Sequence, residues 1–289
     1  MRHLKLIIAF VLFIASYTLI MAQTVQKQSD GIVYTSPTGI SGKIKLKVWS
    51  DNIIQVISNP SGNFSTRESL IITDKLAVTP GWKVIENDNF VEVSTNSVTA
   101  RIDKRTSEIE FIDKTGKLIL AENGSEITSA KVVGEDCYHI KQLFQYVPGE
   151  TLYGLGSFQD ADLALNGKKM ALLQKNRDDV VPVIISTNHY GLLWDNYSYS
   201  EFNDIRGSYY LWSEVADEIN YFFIYGENTD KIVSAYRQLT GVAPMFPKWV
   251  YGYIQSKQKY NTQDEIVSIV KEFRDRKFPL DLIVQDWQY

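Results

Sequence analysis

The sequence contains one cysteine, three histidines and no run of basic residues, and these shortages narrow its possible functions. With Cys137 alone, the chain can form no internal disulfide and no metal site built on cysteine ligands, so Cys137 is expected to be a buried strand residue. The formal net charge is -4, with the basic residues scattered, which argues against the basic surface that nucleic acids and anionic membranes require. We expect no nucleic-acid partner, no metal and no cofactor.

Long apolar runs are also scarce, and the exception lies at the start of the chain. Arg2, His3 and Lys5 precede an uncharged, mostly apolar stretch over residues 6–21. Basic residues followed by an apolar stretch that is shorter than a transmembrane helix predict a secretory signal peptide over residues 1–22, with cleavage after Ala22. The protein would then be periplasmic or extracellular, with no membrane segment after cleavage. The alternative is an uncleaved anchor.

Between residues 31 and 225 the sequence has the pattern of β-strands. In KIKLKVWS, lysines alternate with Ile44, Leu46 and Val48, which is the period of a half-buried strand. NIIQVIS, FVEVST, VTARID and EIEFID repeat this pattern. Many short strands at this spacing predict an antiparallel β-sandwich. The turn sequences between them are NPSG (59–62), PG (80–81), KTG (114–116) and NG (123–124).

The period changes near residue 229, where TDKIVSAYRQLTG predicts one amphipathic helix. Thr229 or Asp230 is the expected N-terminal cap, and Gly241 fits just past the end. The apolar face is formed by Ile232, Ala235, Tyr236 and Leu239.

Two prolines, Pro244 and Pro247, then predict a domain boundary. We place a sandwich domain at residues 23–245 and a second domain at 246–289. In the second domain, WVYGYIQSKQKY is predicted as a strand, and NTQDEIVSIVKEFRDRKF as a helix that begins with a capping box of Thr262 and Glu265. LDLIVQDW is predicted as a buried strand. Strand, helix and strand form a βαβ unit, so the two strands should be parallel.

Functional residues are expected where these two parallel strands end, because α/β folds bind substrates there. Gln255 and Ser256 end the first strand, and Asp286 and Trp287 end the second. A carboxylate at that place can accept hydrogen bonds from a substrate hydroxyl, and an indole can pack on the apolar face of the substrate. The alternative is that Asp286 only accepts hydrogen bonds from loop amides.

Other candidate residues have weaker support. His139 and His189 could perform proton transfer of the mutarotase type, but neither lies in a recognisable acid-base motif, so structural roles are favoured. Asp160 and Asp162 could contact a cation, yet two carboxylates without further ligands are insufficient for a metal site.

The stretch GVAPMFPKWVYGYIQSKQKYNTQDEIVSIVKEFRDRKFPLDLIVQDWQY resembles the entry to the catalytic barrel of glycoside hydrolase family 31. LYGLGSFQDADLALNGKKMALLQKN and YGLLWDNYSYSEFND resemble the N-terminal sandwich of the same family, so the resemblance runs from about Ile32 to Tyr289. It implies a mainly β fold, in which a mutarotase-like antiparallel β-sandwich is followed by the first strand-helix-strand of a truncated (β/α)8 barrel.

The resemblance also implies an activity, which is the retaining hydrolysis of α-linked glycosides by a nucleophile and an acid. In this family both are aspartates on later barrel strands, so the catalytic residues are expected beyond Tyr289 and none within the chain. Asp286 matches the aspartate that holds a sugar hydroxyl, and Trp287 matches a neighbouring position of the pocket wall. The strings WDNYS and FND favour the α-xylosidase branch over α-glucosidases.

These observations predict the N-terminal portion of an exported α-glycosidase of the α-xylosidase or α-glucosidase type, with an α-linked oligosaccharide as its partner. The alternatives are a stand-alone carbohydrate-binding β-sandwich module and an inactive truncated product.

Overall fold

The computed structural model describes residues 25–36, 42–73, 81–159 and 163–288. The chain divides into two compact units, one up to Gly241 and one from Val242. The predicted boundary after residue 245 lies shortly beyond this division and stays a prediction. The signal peptide over residues 1–22 lies outside the described residues.

The first unit is built from two antiparallel sheets. In order across each sheet, the eight-stranded sheet is β1-β2-β3-β4-β17-β14-β13-β11, and the nine-stranded sheet is β12-β15-β16-β10-β9-β8-β7-β6-β5. The strands are β1 (Val25–Lys27), β2 (Gly31–Thr35), β3 (Lys43–Ser50), β4 (Ile53–Asn59), β5 (Lys83–Glu86), β6 (Phe90–Ser94), β7 (Val98–Asp103), β8 (Ile109–Asp113), β9 (Leu118–Val132), β10 (Glu135–Gln145), β11 (Leu152–Phe158), β12 (Lys169–Leu172), β13 (Asp178–Ser186), β14 (Tyr190–Trp194), β15 (Ser200–Asp204), β16 (Ser208–Ala216) and β17 (Ile219–Tyr225).

The alternating pattern of the strands places their apolar side chains between the two sheets. On β3, Ile44, Leu46 and Val48 are buried in a core to which both sheets contribute. Phe111 of one sheet stacks on Phe223 of the other, with ring centroids 3.9 Å apart. The predicted antiparallel β-sandwich is therefore confirmed.

Hydrogen bonds also cross the sandwich interior. Buried aromatic residues of the eight-stranded sheet bond to polar side chains of the nine-stranded sheet, so each bond joins one sheet to the other. The three bonds link Tyr190 Oη with Tyr209 Oη (2.8 Å), Trp194 Nε1 with Ser213 Oγ (2.8 Å), and Tyr221 Oη with Glu122 Oε1 (2.7 Å).

The predicted turns NPSG and KTG are confirmed, NG is wrong, and PG at 80–81 lies partly outside the described residues. Gly62 donates its N–H to the Asn59 carbonyl at 3.1 Å, and Gly116 donates to the Asp113 carbonyl at 3.0 Å. NG at 123–124, however, lies inside the long strand β9. There the register with β10 shifts, because the residues 123 and 124 stand opposite one residue of β10. Gly124 has a φ of +99°, so the sequence NG forms a bulge instead of a turn.

Cys137 is free and lies on β10, as expected for a strand residue. The expectation that it is buried is wrong, since Cys137 is only partly buried. It lies near the end where β9 and β10 extend as a pair, and most neighbouring residues there are exposed.

The predicted helix is α1 (Thr229–Thr240). Its buried residues Ile232, Ala235 and Leu239 pack against the outer face of the eight-stranded sheet. The N-terminal cap is Asn228, whose side chain accepts from the Lys231 N–H at 3.0 Å, so the predicted cap at Thr229 or Asp230 is wrong. The amide oxygen of Asn228 is as good a cap acceptor as the carboxylate of Asp230, and it stands one residue earlier than the sequence pattern indicated.

The second unit is the predicted strand-helix-strand. A 3₁₀ turn (Lys248–Tyr251) precedes β18 (Ile254–Lys257), α2 (Gln263–Asp275) and β19 (Leu282–Gln285), so the strand predicted over WVYGYIQSKQKY is much shorter than expected. Thr262 caps α2 by accepting the Glu265 N–H at 3.1 Å. None of the described helices has the length and apolar composition needed to cross a bilayer.

Candidate functional site

The parallel pairing of β18 and β19 brings the ends of both strands to one edge. Gln255 pairs with Ile283, and Lys257 pairs with Gln285. Asp286 directly follows Gln285, so the polar residues predicted at the strand ends lie at the same edge, as expected from parallel strands. The parallel orientation is confirmed.

The residues that precede the two strands contact each other, and Gly252 leaves room for the side chain of Asp281. A Cβ at Gly252 would lie 1.9 Å from Oδ2 of Asp281, so a larger residue there would displace the Asp281 side chain. Asp281 donates its N–H to the Tyr253 carbonyl at 3.0 Å, and Tyr253 stacks on Phe273 of α2. These contacts set the start of β19 and therefore the place where Asp286 emerges.

Asp286 and Trp287 are both exposed at this edge. Oδ1 of Asp286 accepts the backbone N–H of Trp287 at 2.7 Å, and 71% of Trp287 is exposed. Among the described residues, no other hydrogen bond reaches the Asp286 carboxylate. One carboxylate oxygen thus accepts a hydrogen bond from the loop backbone, and the other is available to a hydroxyl-bearing ligand. The geometry is therefore compatible with both predicted roles of Asp286, which are binding a substrate hydroxyl and accepting hydrogen bonds from loop amides.

The strand that carries these residues is less buried than predicted. Leu280, just before β19, is 4% exposed, but Leu282 is 38% exposed and Ile283 and Val284 are half-buried. A strand of a parallel barrel is covered on both faces, whereas here one strand and one helix accompany β19. The prediction of a buried strand is therefore wrong for the residues described.

The YGLG motif has a structural explanation within the first unit. Gly154 and Gly156 lie on β11 with φ of +114° and +111°. A Cβ at Gly154 would lie 2.2 Å from the Val183 carbonyl oxygen, and one at Gly156 would lie 1.9 Å from that of Asp179. The two glycines therefore permit the close and irregular pairing of β11 with β13.

The two histidines are not brought together. His139 lies on β10 in the nine-stranded sheet, where its Nδ1 pairs with the Glu214 carbonyl at 2.5 Å. His189 is exposed in the turn between β13 and β14 of the other sheet. Asp160 and Asp162 lie outside the described residues. Within the described ranges, no group of three or more His, Cys, Asp or Glu side chains could hold a metal ion.

Three partly or largely buried carboxylates were missed by the sequence analysis. Burial raises the pKa of Glu122 to about 7, and burial likewise raises the pKa of Asp195 and of Glu218. Asp195 belongs to the WDNYS string, which was noted only for its resemblance to the family. A signal for Glu122 was present, because this acid directly follows the apolar run LILA of β9.

Family models match both units of the chain. The Glycosyl hydrolase 31 N-terminal galactose mutarotase-like domain matches residues 43–203, which is more than half of the chain. The Glycosyl hydrolases family 31 TIM-barrel domain matches residues 243–289.

Similar proteins and structures agree with these matches. An alpha-xylosidase of Saccharolobus solfataricus is 34% identical over 261 residues, which cover 85% of this chain and 35% of the relative. The solved GH31 alpha-xylosidase of Xanthomonas citri has a TM-score of 0.84 at 24% identity, covering 92% of this chain and 45% of that one. A GH31 alpha-xylosidase from a soil metagenome, complexed with xylose, has a TM-score of 0.81 at 24% identity, covering 91% of this chain and 41% of that one.

The chain thus spans less than half the length of these relatives. The two-sheet sandwich, the parallel strand-helix-strand and the two family models agree along the sequence, and the resemblance noted in the sequence is confirmed. The chain belongs to glycoside hydrolase family 31.

Proposed function

We propose that these 289 residues are the N-terminal portion of an exported retaining α-glycosidase of the α-xylosidase or α-glucosidase type. The observation that carries the proposal is Asp286, which leaves the end of the second parallel strand with one carboxylate oxygen unoccupied by the described residues. In this proposal Asp286 accepts hydrogen bonds from hydroxyls of an α-linked sugar, and Trp287 forms part of the same wall.

Sequence identity to known alpha-xylosidases favours the α-xylosidase type over the α-glucosidase type. Alpha-xylosidases of Saccharolobus solfataricus and Aspergillus niger are 34% and 30% identical to the aligned parts of this chain. The strings WDNYS and FND point the same way. An α-xyloside is therefore the first substrate to test, with an α-glucoside as the comparison.

Two carboxylates must flank the bond in a retaining glycosidase, one as nucleophile and one as acid. The family model of the barrel is matched only over residues 243–289, and the described part of this stretch contains one parallel strand pair. We therefore assign both catalytic groups to barrel strands beyond Tyr289. The signal peptide with cleavage after Ala22 would deliver the protein to the periplasm or the medium.

The first test is the DNA that follows codon 289. The proposal expects further strand-helix units with two aspartates at strand ends, in the same or a neighbouring frame. Unrelated sequence would instead favour a stand-alone carbohydrate-binding sandwich or an inactive truncated product.

The second test uses the purified 289-residue chain with p-nitrophenyl α-xyloside and α-glucoside. No turnover above a blank is expected, because neither catalytic carboxylate belongs to this chain. Turnover that survives repurification would refute the assignment of both groups to later strands.

A further inference from the structure

A second candidate site lies entirely within the first unit, in a cleft on the outer face of the eight-stranded sheet. Its volume is about 480 Å³, which is in the range of small-molecule sites. One wall is formed by residues 65–72, which we call the strap, and the opposite wall by residues 195–198 and 215–218. The floor is formed by outward side chains of β3, β4 and β17, including Lys45, Trp49, Gln55 and Asn220.

Hydrogen bonds fasten the strap to the wall opposite. The Ser65 N–H donates to Glu218 Oε2 at 3.0 Å. The Leu70 N–H donates to the Tyr197 hydroxyl at 2.7 Å, and that hydroxyl donates to Asp195 Oδ1 at 2.7 Å. Both ends of the strap are therefore held, and the cleft is a built feature of the unit.

A chain of side-chain hydrogen bonds orients the floor. Trp49 Nε1 donates to Gln55 Oε1 at 2.9 Å, and Gln55 Nε2 donates to Asn220 Oδ1 at 2.8 Å. Asn220 Nδ2 in turn lies 3.4 Å from Asp195 Oδ2. Each amide is thus fixed in one orientation, which is the preorganisation that a polar binding site requires.

The cleft also contains a carboxylate with an acceptor that no described residue uses. Glu218 is 9% exposed, and its Oε2 accepts from Ser65 and, at 3.4 Å, from Asn59. No hydrogen bond from any described residue reaches Glu218 Oε1. A carboxylate can accept about four hydrogen bonds, so Glu218 has capacity left for donors from a ligand. A ligand that donates to Glu218 would therefore be bound favourably.

The remaining lining selects the class of ligand. Cationic and anionic side chains are nearly balanced, which favours a neutral ligand over a charged one. The lining contains both acceptors and donors, and 56% of Tyr197 is exposed at its rim, where an apolar face can pack. The charged lining residues are Lys45, Lys47, Arg67, Glu68, Asp195, Asp217 and Glu218.

We propose that this cleft binds a neutral carbohydrate of one or two sugar units, with Glu218 accepting a hydroxyl and Lys45 donating to one. Sugar hydroxyls both donate and accept, so they match a lining that contains donors and acceptors, and the C–H face of a sugar ring matches the Tyr197 ring. The site lies beyond the proposed function, because it uses neither Asp286 nor Trp287 and requires no catalysis.

The test titrates isomaltose into the purified 289-residue chain and follows the indole N–H signals of its tryptophans by NMR. Trp49 Nε1 belongs to the floor of the cleft, so its signal should shift saturably while that of Trp287 stays in place. No saturable shift of Trp49, or a shift of Trp287 alone, would overturn the proposal.

Variants identify the residues involved. In Glu218→Gln, the amide oxygen can keep the Ser65 bond, and the amide nitrogen then replaces the unused acceptor with a donor. Isomaltose should bind at least about tenfold more weakly, as for the loss of one charge-assisted hydrogen bond. Glu214→Gln, the same change at an exposed residue of β16, is the control and should leave the affinity unchanged.

Lys45→Ala provides an independent test should Glu218→Gln fail to fold. No hydrogen bond or ion pair of the described residues involves the Lys45 ammonium group, so the fold should tolerate this change. Weaker isomaltose binding is expected for Lys45→Ala. Unchanged affinity in both folded variants would refute the assignment of the cleft.

Discussion

The Glu122 carboxyl should make the stability of the sandwich depend on pH. Its Oε1 accepts from the Tyr221 hydroxyl at 2.7 Å, and its Oε2 accepts from the Ile109 N–H at 2.8 Å. Burial is the largest influence and raises the pKa of Glu122 from 4.5 to about 7, although the Tyr221 hydrogen bond lowers it. The folded state therefore holds the proton more tightly than the unfolded state does.

The sign follows from proton linkage. Because the folded pKa is higher, the stabilisation from protonated Glu122 is fully present below about pH 4.5 and is lost progressively up to about pH 7. A difference between 4.5 and about 7 corresponds to about 3 kcal/mol. This figure is a ceiling, since Glu122 retains some exposed surface and water reduces the penalty.

Glu122→Gln removes the titration while keeping the shape. The Gln oxygen can accept from Ile109, and its amide nitrogen can donate to the Tyr221 oxygen, as a protonated Glu would. Urea denaturation at about pH 5 and about pH 8 should show the variant gaining up to about 3 kcal/mol in free energy of unfolding relative to wild type as the pH rises.

The comparison must be relative to wild type, because Asp195 and Glu218 also have raised pKa values and remain in the variant. Glu126→Gln is the matched control: it lies on the same strand, β9, and its exposed side chain pairs with Lys141 at 3.0 Å. Curves of wild type and Glu122→Gln that stay parallel across this pH range would refute the reasoning.

Three further outcomes are expected. Limited proteolysis followed by mass spectrometry should cut residues 246–289 quickly and leave 23–245 intact, because β18 and β19 expose apolar residues; equal protection would contradict this. Gly154→Ala should lower the free energy of unfolding in urea by more than about 1 kcal/mol, because φ is positive and a carbonyl blocks the Cβ, whereas Gly149→Ala, also at a positive φ but with nothing near its Cβ, should cost less. In an enzyme carrying the whole barrel, Asp286→Ala should lower kcat/KM at least about tenfold, while a lower Tm with normal kinetics would show that the carboxylate only supports its loop.

Local patterns in the sequence were sufficient for much of the fold. The alternation in KIKLKVWS predicted β3 and its buried face, and the spacing of Ile232 and Leu239 predicted α1. The predictions that were wrong concerned residues whose structure depends on partners distant in sequence. The sequence NG at 123–124 predicts a turn when it is considered alone. In the structure, the residues before and after it pair with β10, so the strand stays extended and NG forms a bulge.

Of the two candidate sites, one could be predicted from local sequence and the other could not. Asp286 was predictable, because the end of a strand is marked along the chain itself. The cleft was not, since Ser65 meets Glu218 from 153 positions away and nothing in either local sequence indicates the other. The exposed faces of β19 were also unpredictable, because coverage of a strand depends on which other strands surround it.

The hydrogen bonds that cross the sandwich interior have a consequence for how this domain can diverge. Hydrophobic attraction has no direction, so an apolar interface alone permits several alignments of one sheet over the other. The hydrogen bond between Tyr190 and Tyr209 permits only one alignment of the two sheets, because the two hydroxyls must remain within hydrogen-bonding distance. Losing the Tyr190 hydroxyl leaves the Tyr209 hydroxyl without this partner, at a cost of about 1–3 kcal/mol, whereas losing both hydroxyls leaves neither unpaired. Substitutions across this core should therefore be coupled, and homologues that lack the hydroxyl at position 190 should also lack the one at position 209.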